Sequence, residues 1–221
     1  MTPTGRFATA QSQLSSDARL AAPNMNAPED DATYEESLAK ITIGPPEPLQ
    51  GRIEIRDYDP RSATLFAREA DRIRRLLGER VVRLEHVGST SVPDLPAKPI
   101  IDIVLEVLDS SEEPAYVPDL EAGGYLLRIR EPRWFEHRMF KGPDTNINLH
   151  VFSAGCGETG RMTLFRDWLR GNDADRRRYA GVKRQLAGLD WKYVQQYADA
   201  KADVIREIMT RAEAARNGPG E

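Results

Sequence analysis

One cysteine in 221 residues rules out an internal disulfide, and three histidines with that cysteine cannot fill a Cys-rich zinc site. No window approaches 18 consecutive apolar residues, and the opening stretch MTPTGRFATAQSQLSSDARLAAP lacks the compact apolar core of a secretory signal. The expectation is a cytoplasmic protein with no membrane partner. An excess of basic charge is also missing. Lys and Arg number 31 against 35 Asp and Glu, a net −4, so bulk electrostatics do not draw the chain to a nucleic-acid backbone. The charge is uneven, however. Residues 161–216 hold 13 basic and 8 acidic side chains, a local +5. Solvated helical faces account for most of this, and a basic rim around an anionic small molecule is the more specific reading.

Residues 1–48 mix small polar residues and proline with an acidic cluster at Glu29, Asp30 and Asp31 and end in Gly44-Pro45-Pro46-Glu47-Pro48. Such a segment buries too little apolar surface to offset the entropy of ordering it. It is expected to be a flexible extension, with one folded domain over 49–215 and a short flexible tail over 216–221. Within the domain, residues 52–56 read as a strand. Asp59-Pro60 then places an acceptor and a proline at a helix start, and Leu65, Phe66, Ala70, Ile73, Leu76 and Leu77 fall at helical spacing up to Gly78.

Further strands are expected over 81–86, 99–107, 125–130, 134–141 and 147–152, with a short helix over 118–122. Helices over 162–170, 175–186 and 191–215 complete the chain. Strands first and helices last predict an α+β domain: a mixed sheet, flanking helices and a helical C-terminal part.

The chemistry concentrates in Glu85-His86-Val87-Gly88-Ser89-Thr90-Ser91-Val92-Pro93 and in Lys98-Pro99-Ile100-Ile101-Asp102. A strand that runs into Gly-Ser-Thr-Ser offers close backbone approach and hydroxyls for phosphate oxygens, with Lys98 supplying positive charge. Asp102, set in an apolar strand, is costly to bury unless it is hydrogen-bonded, paired or on a metal. Each feature has a plainer alternative. Gly88 to Ser91 alone suits an ordinary turn, Asp102 could pair structurally with Lys98, and His86, His137 and His150 could each be packing residues. Cys156, between two glycines, reads as an inert loop thiol.

The stretch from His86 to Ile103 resembles the hallmark of the GrpB family, His-Val-Gly-Ser-Thr-Ser-Val-Pro followed by Leu-Pro-Ala-Lys-Pro-Ile-Ile-Asp-Ile. Tyr58-Asp59-Pro60, Gly124-Tyr125, Glu131-Pro132, Glu136-His137-Arg138, residues 148–152, residues 165–170 and residues 179–183 extend the resemblance over about 52–211. It implies a nucleotidyltransferase-like fold of the polymerase-beta type. There, a Gly-Ser turn precedes a strand bearing two carboxylates one residue apart, which share a face and hold divalent metal on nucleotide phosphates. Gly88, Ser89 and Asp102 match that plan. Residue 104 is Val, and Glu106 lies roughly 13 Å along the strand from Asp102 at about 3.3 Å per residue. Asn148 and His150 stand where a third carboxylate is expected.

The resemblance therefore implies a binder of a nucleotide or other phosphorylated small molecule, with an incomplete carboxylate set. Asp102 and Lys98 are its candidate catalytic groups, and Asp102 its ligand for magnesium. His86, Gly88, Ser89, Thr90, Ser91, His137, Arg138, Asn148 and His150 are the candidate substrate contacts. The family is also known as a domain joined to dephospho-coenzyme A kinases, where it is described as a folding accessory. The alternative is accordingly a non-catalytic module that binds a metabolite or a protein partner. A third reading places a transition metal on His86, His137, His150 and Asp102.

Overall fold

The computed structural model describes residues 31–217. A five-stranded sheet is built from β1 (Arg83–Val87), β2 (Ile101–Val107), β3 (Leu126–Glu131), β4 (His137–Lys141) and β5 (Ile147–Ser153), in the spatial order β1-β2-β5-β4-β3. Only β2 and β5 run parallel; the other neighbours are antiparallel. The helices are α1 (Asp31–Ala39), α2 (Arg61–Leu77), α3 (Val117–Ala122), α4 (Gly157–Gly171), α5 (Asp173–Ala187), α6 (Val194–Asp199) and α7 (Ala202–Asn217). This is the α+β architecture expected. No helix among the described residues is long and apolar enough to cross a membrane.

Strand alternation decides which side chains reach which layer. On β2, Ile101, Ile103, Leu105 and Val107 face Ile73 and Leu77 of α2 and Leu120 of α3, and with Leu149 and Val151 of β5 they form the main core. The even-numbered positions Asp102, Val104 and Glu106 face the other way. Val87, Val104 and Phe152 make a small apolar cluster there. A second core joins the loop after β1, through Val92 and Leu95, to Leu169, Tyr179, Ala180, Val204 and Ile208 of the C-terminal helices. This second core brings α5 and the turn at Gly88 to Ser91 together.

Helix α2 begins where the sequence signals it: Asp59 Oδ1 accepts from the Arg61 backbone N–H at 2.9 Å, and the helix stops at Gly78, whose φ is +58°. Residues 52–56 form no strand; Arg56 makes only an isolated bridge with Ala97. The single helix expected over 191–215 is two, α6 and α7, interrupted at Ala200 and Lys201. Of the extension expected to be flexible over 1–48, residues 1–30 lie outside the described residues, as do 218–221 of the tail. From residue 31 on, the chain is engaged. Tyr34 of α1 is buried, stacks on Tyr193 and donates to Asp199 Oδ2 at 2.6 Å. The Ile43 N–H donates to the Arg128 carbonyl at 2.8 Å, and Ile41 accepts from Arg130, so residues 41–43 cover the outer edge of β3.

Candidate functional site

Asp102 stands on the sheet face away from the main core, and parallel pairing sets Asn148 beside it. Asn148 Nδ2 donates to Asp102 Oδ1 at 2.7 Å, and Lys141 Nζ donates to Asn148 Oδ1 at 2.6 Å. His150, two residues along β5, brings Nε2 to 3.9 Å from Asp102 Oδ1. The Asp102 side chain remains 27% exposed and that of His150 22%, so both reach solvent. Burial works to raise the Asp102 pKa, but His150, the Asn148 amide and the Lys98 charge outweigh it and hold the carboxyl below its ordinary value. The turn lies against this acid. Gly88 has φ +68°, and a Cβ there would come within 2.9 Å of Asp102 Cβ and closer still to Oδ2. Only glycine fits.

Behind Asp102 runs a file of titratable groups. Glu131 Oε2 accepts from His137 Nδ1 at 2.7 Å, and His137 Nε2 lies 3.0 Å from His150 Nδ1, with the two rings stacked. With the His137 Nδ1–H given to Glu131, its Nε2 accepts from His150 Nδ1–H. His137 therefore reaches the site through His150.

Four lysines surround this single carboxylate, and three of them were not singled out by the sequence reading. Lys183 of α5 is 2% exposed; its Nζ lies 2.9 Å from Ser89 Oγ and also donates to the Pro96 carbonyl. Lys201, at the break between α6 and α7, sits 4.6 Å from the Tyr197 ring centroid, and Lys98 lies 5.4 Å from the same ring. Lys141 is the fourth. Burial is the main cause that lowers the pKa of every one of them. Lys183 falls to about 6, helped by Lys201 and Arg184, and Lys201 to about 8, helped by Lys98.

Lys98 and Lys141 are lowered in the same way, with Asp102 as a charge that opposes the shift in each. Besides Asp102, Glu47 acts on Lys141 and Asp199 on Lys201, so positive charge still exceeds negative, which is costly on burial unless a lysine sheds its proton or an anion joins them. The Tyr197 hydroxyl is buried and has no hydrogen-bond partner among the described residues. Lys183 does carry a signal in the sequence: it follows Asp175 and Tyr179 at four-residue spacing, and all three lie on the buried face of α5. Lys201 carries none, because the break that exposes it is not marked by glycine or proline.

Other expected contacts lie elsewhere. His86 pairs with Ile103 and so faces the main-core side, where it stacks on Phe66 at 4.9 Å. Its Nε2 meets Thr90 Oγ1 at 3.2 Å, and Thr90 itself donates to the Ile100 carbonyl. Burial pushes the His86 pKa down to about 4. Ser91 Oγ donates to the Gly88 carbonyl at 2.6 Å, while its own carbonyl accepts from Arg170. These three polar groups hold the turn in shape. Arg138 pairs with Val151 across β4 and β5, on the face opposite Asp102, and Glu113 Oε1 accepts from its Nε at 2.5 Å. It is a correction to the sequence reading that His86 and Arg138 point away from Asp102, because strand parity sends neighbouring residues to opposite faces.

The same geometry removes His86 from any metal site shared with His137, His150 and Asp102, and no group of three or more His, Cys, Asp or Glu among the described residues is placed to hold a metal ion. Glu106 accepts from Thr159 Oγ1 at 2.5 Å and pairs with Arg83 at 3.6 Å, so it is committed to the packing of α4. One carboxylate amid four lysines does not fit a protein-built magnesium cage, which needs several hard oxygen donors.

The chain matches the model of the GrpB protein family over residues 52–211. It is 60% identical over 180 residues to a UPF0157 protein of Halalkalibacterium halodurans, which covers 81% of this chain and 92% of that protein. A UPF0157 protein of Streptomyces coelicolor is 45% identical, over 79% of this chain and 90% of its own length. A dephospho-CoA kinase of Mycobacterium leprae is 26% identical over 64% of this chain, and the match spans only 42% of that kinase. Among solved structures, the crystal structure of the conserved protein GrpB from Enterococcus faecalis superimposes with a TM-score of 0.64 at 30% identity, over 74% of this chain and 99% of that one. The chain belongs to the GrpB family.

Proposed function

We propose that the cleft at Gly88, Ser89 and Asp102 binds the phosphate groups of a nucleotide or other phosphorylated small molecule. The observation that carries this reading is the ring of Lys98, Lys141, Lys183 and Lys201 around one partly exposed carboxylate. A polyphosphate entering the cleft supplies negative charge and favours the charged form of Lys98, Lys141 and Lys201, whose pKa burial lowers. Ser89 Oγ donates to a phosphate oxygen, and the orphaned Tyr197 hydroxyl gains an acceptor, relieving the cost of an unmade hydrogen bond, about 1–3 kcal/mol. Gly88 lets the ligand approach the backbone. Magnesium, if it takes part, arrives on the phosphates and finds Asp102 as its protein ligand. A phosphorylated small-molecule ligand agrees with a cytoplasmic setting.

The family resemblance adds nucleotidyl transfer as the reaction class, by in-line attack at the α-phosphorus. The incomplete carboxylate set favours a second reading, a module that binds the same ligand without turnover. Thermal-shift measurements with nucleoside triphosphates and magnesium test the shared core of both. Stabilisation that disappears in Lys201→Met supports the reading, and no stabilisation of the wild type by any nucleotide overturns it. Release of pyrophosphate by the wild type separates transfer from binding alone.

A further inference from the structure

We propose that Ser89 is a nucleophile and Lys183 its general base, so that the cleft takes a nucleotidyl group onto its own serine. The inference rests on the phosphate-binding reading and deepens it. Lys183 Nζ lies 2.9 Å from Ser89 Oγ, and its other partner, the Pro96 carbonyl, can only accept. One N–H is thereby fixed on Pro96, which turns the remaining face of the amine toward the serine hydroxyl. No carboxylate among the described residues pairs with Lys183, and the Tyr179 ring lies 4.8 Å from its ammonium position. Burial, aided by Lys201 and Arg184, brings its pKa to about 6, so the amine is largely neutral at pH 7 and free to take a proton.

Exposure divides the roles. Lys183 is 2% exposed and cannot itself meet a substrate, whereas Ser89 is half-buried at the mouth of the turn. Thr90 and Ser91 have their hydroxyls committed to the Ile100 and Gly88 carbonyls, whereas Ser89, which also meets the Tyr179 hydroxyl, is the turn hydroxyl that lies beside Lys183. In the step proposed, Ser89 Oγ attacks the α-phosphorus of a nucleoside triphosphate. The Oγ–P bond forms, the bond from phosphorus to the bridging oxygen breaks, and pyrophosphate departs with that electron pair. The hydroxyl proton passes to Lys183 Nζ. When an acceptor hydroxyl or water displaces Ser89, Lys183 returns the proton to Oγ and the acceptor's proton leaves to solvent.

The full chain is incubated with ATP and magnesium, and separately with a fluorophosphonate, which needs a nucleophilic serine but no nucleotide site. Intact-mass and peptide mapping should show one adenylyl group on Ser89 with ATP and one phosphonyl group on Ser89 with the second reagent. Both should be absent in Ser89→Ala and slowed at least about 100-fold in Lys183→Met and in Lys183→Arg, whose guanidinium stays protonated and cannot take the proton. Melting curves confirm that each variant is folded. If ATP stabilises the wild type but neither reagent modifies Ser89, the nucleophile proposal is overturned and phosphate binding stands. Fluorophosphonate labelling without any ATP stabilisation overturns phosphate binding and, with it, the nucleotidyl step.

Discussion

Gly88 and Asp102 share one space: a side chain on the glycine would displace the carboxylate that its strand neighbour presents to the cleft. Gly155 has a similar backbone, with φ +77°, but open space where its Cβ would be. Gly88→Ala should therefore lose both the positive-φ term, about 1 kcal/mol, and a further loss of about 1–3 kcal/mol from displacing Asp102, whereas Gly155→Ala should lose the first alone. Urea unfolding midpoints of the two variants check this, and equal losses would contradict the close approach.

Lys183 titrates well below its ordinary 10.5, so between about pH 6 and 10.5 the unfolded chain binds the extra proton and stability rises with pH. Lys183→Met removes this term. The variant should be more stable than the wild type near pH 7 by about 1–4 kcal/mol, with the gap closing as pH rises toward 10. Denaturant unfolding at several pH values tests it; a gap that widens with pH would show that Lys183 is not held neutral by burial.

Asp102 opposes incoming anions as well as the lysine charges. Asp102→Asn should bind tripolyphosphate without magnesium about 3–10-fold more tightly than the wild type, as removal of one like charge at a few ångströms is worth about 1 kcal/mol in a half-exposed site. Isothermal titration calorimetry gives the comparison. Weaker binding by the variant would mean that the carboxylate helps to hold the anion in the absence of metal.

His86, buried against Phe66, should contribute to acid sensitivity and not to ligand affinity. Its folded pKa of about 4 lies below the ordinary 6.5, so stability is complete above pH 6.5 and is lost as pH falls toward 4, by at most about 3 kcal/mol. His86→Gln should flatten that part of the pH profile and leave tripolyphosphate affinity unchanged. A large loss of affinity in this variant would put His86 back in the cleft.

The nearly continuous apolar run from Pro99 to Val107 made β2 readable as a central strand, and the Asp59-Pro60 start with the Gly78 stop made α2 readable to within a residue or two. Gly88, Ser89, Lys98, Asp102, Asn148 and His150 do lie around one region, because they flank adjacent strands of one sheet. His86 and Arg138 are expected there from the family resemblance and from predicted strands near the loop, neither of which fixes the side of the sheet that each must face. Lys183 comes from a helix 94 residues along the chain from Ser89, and Lys201 from further still. Only tertiary packing, through Val92 and Leu95 against Tyr179 and Val204, brings them in, and no local pattern records that contact.

Tripolyphosphate binding measured by calorimetry at pH 7 and at rising salt tests the anion-binding cleft most directly. A phosphate chain held by lysine charge must lose affinity as salt screens that charge, and removal of one of those lysines must weaken it. The wild type should bind, with an affinity that falls as salt rises and falls at least about 10-fold in Lys201→Met. Absence of binding, or equal affinity of the two proteins, would contradict the account.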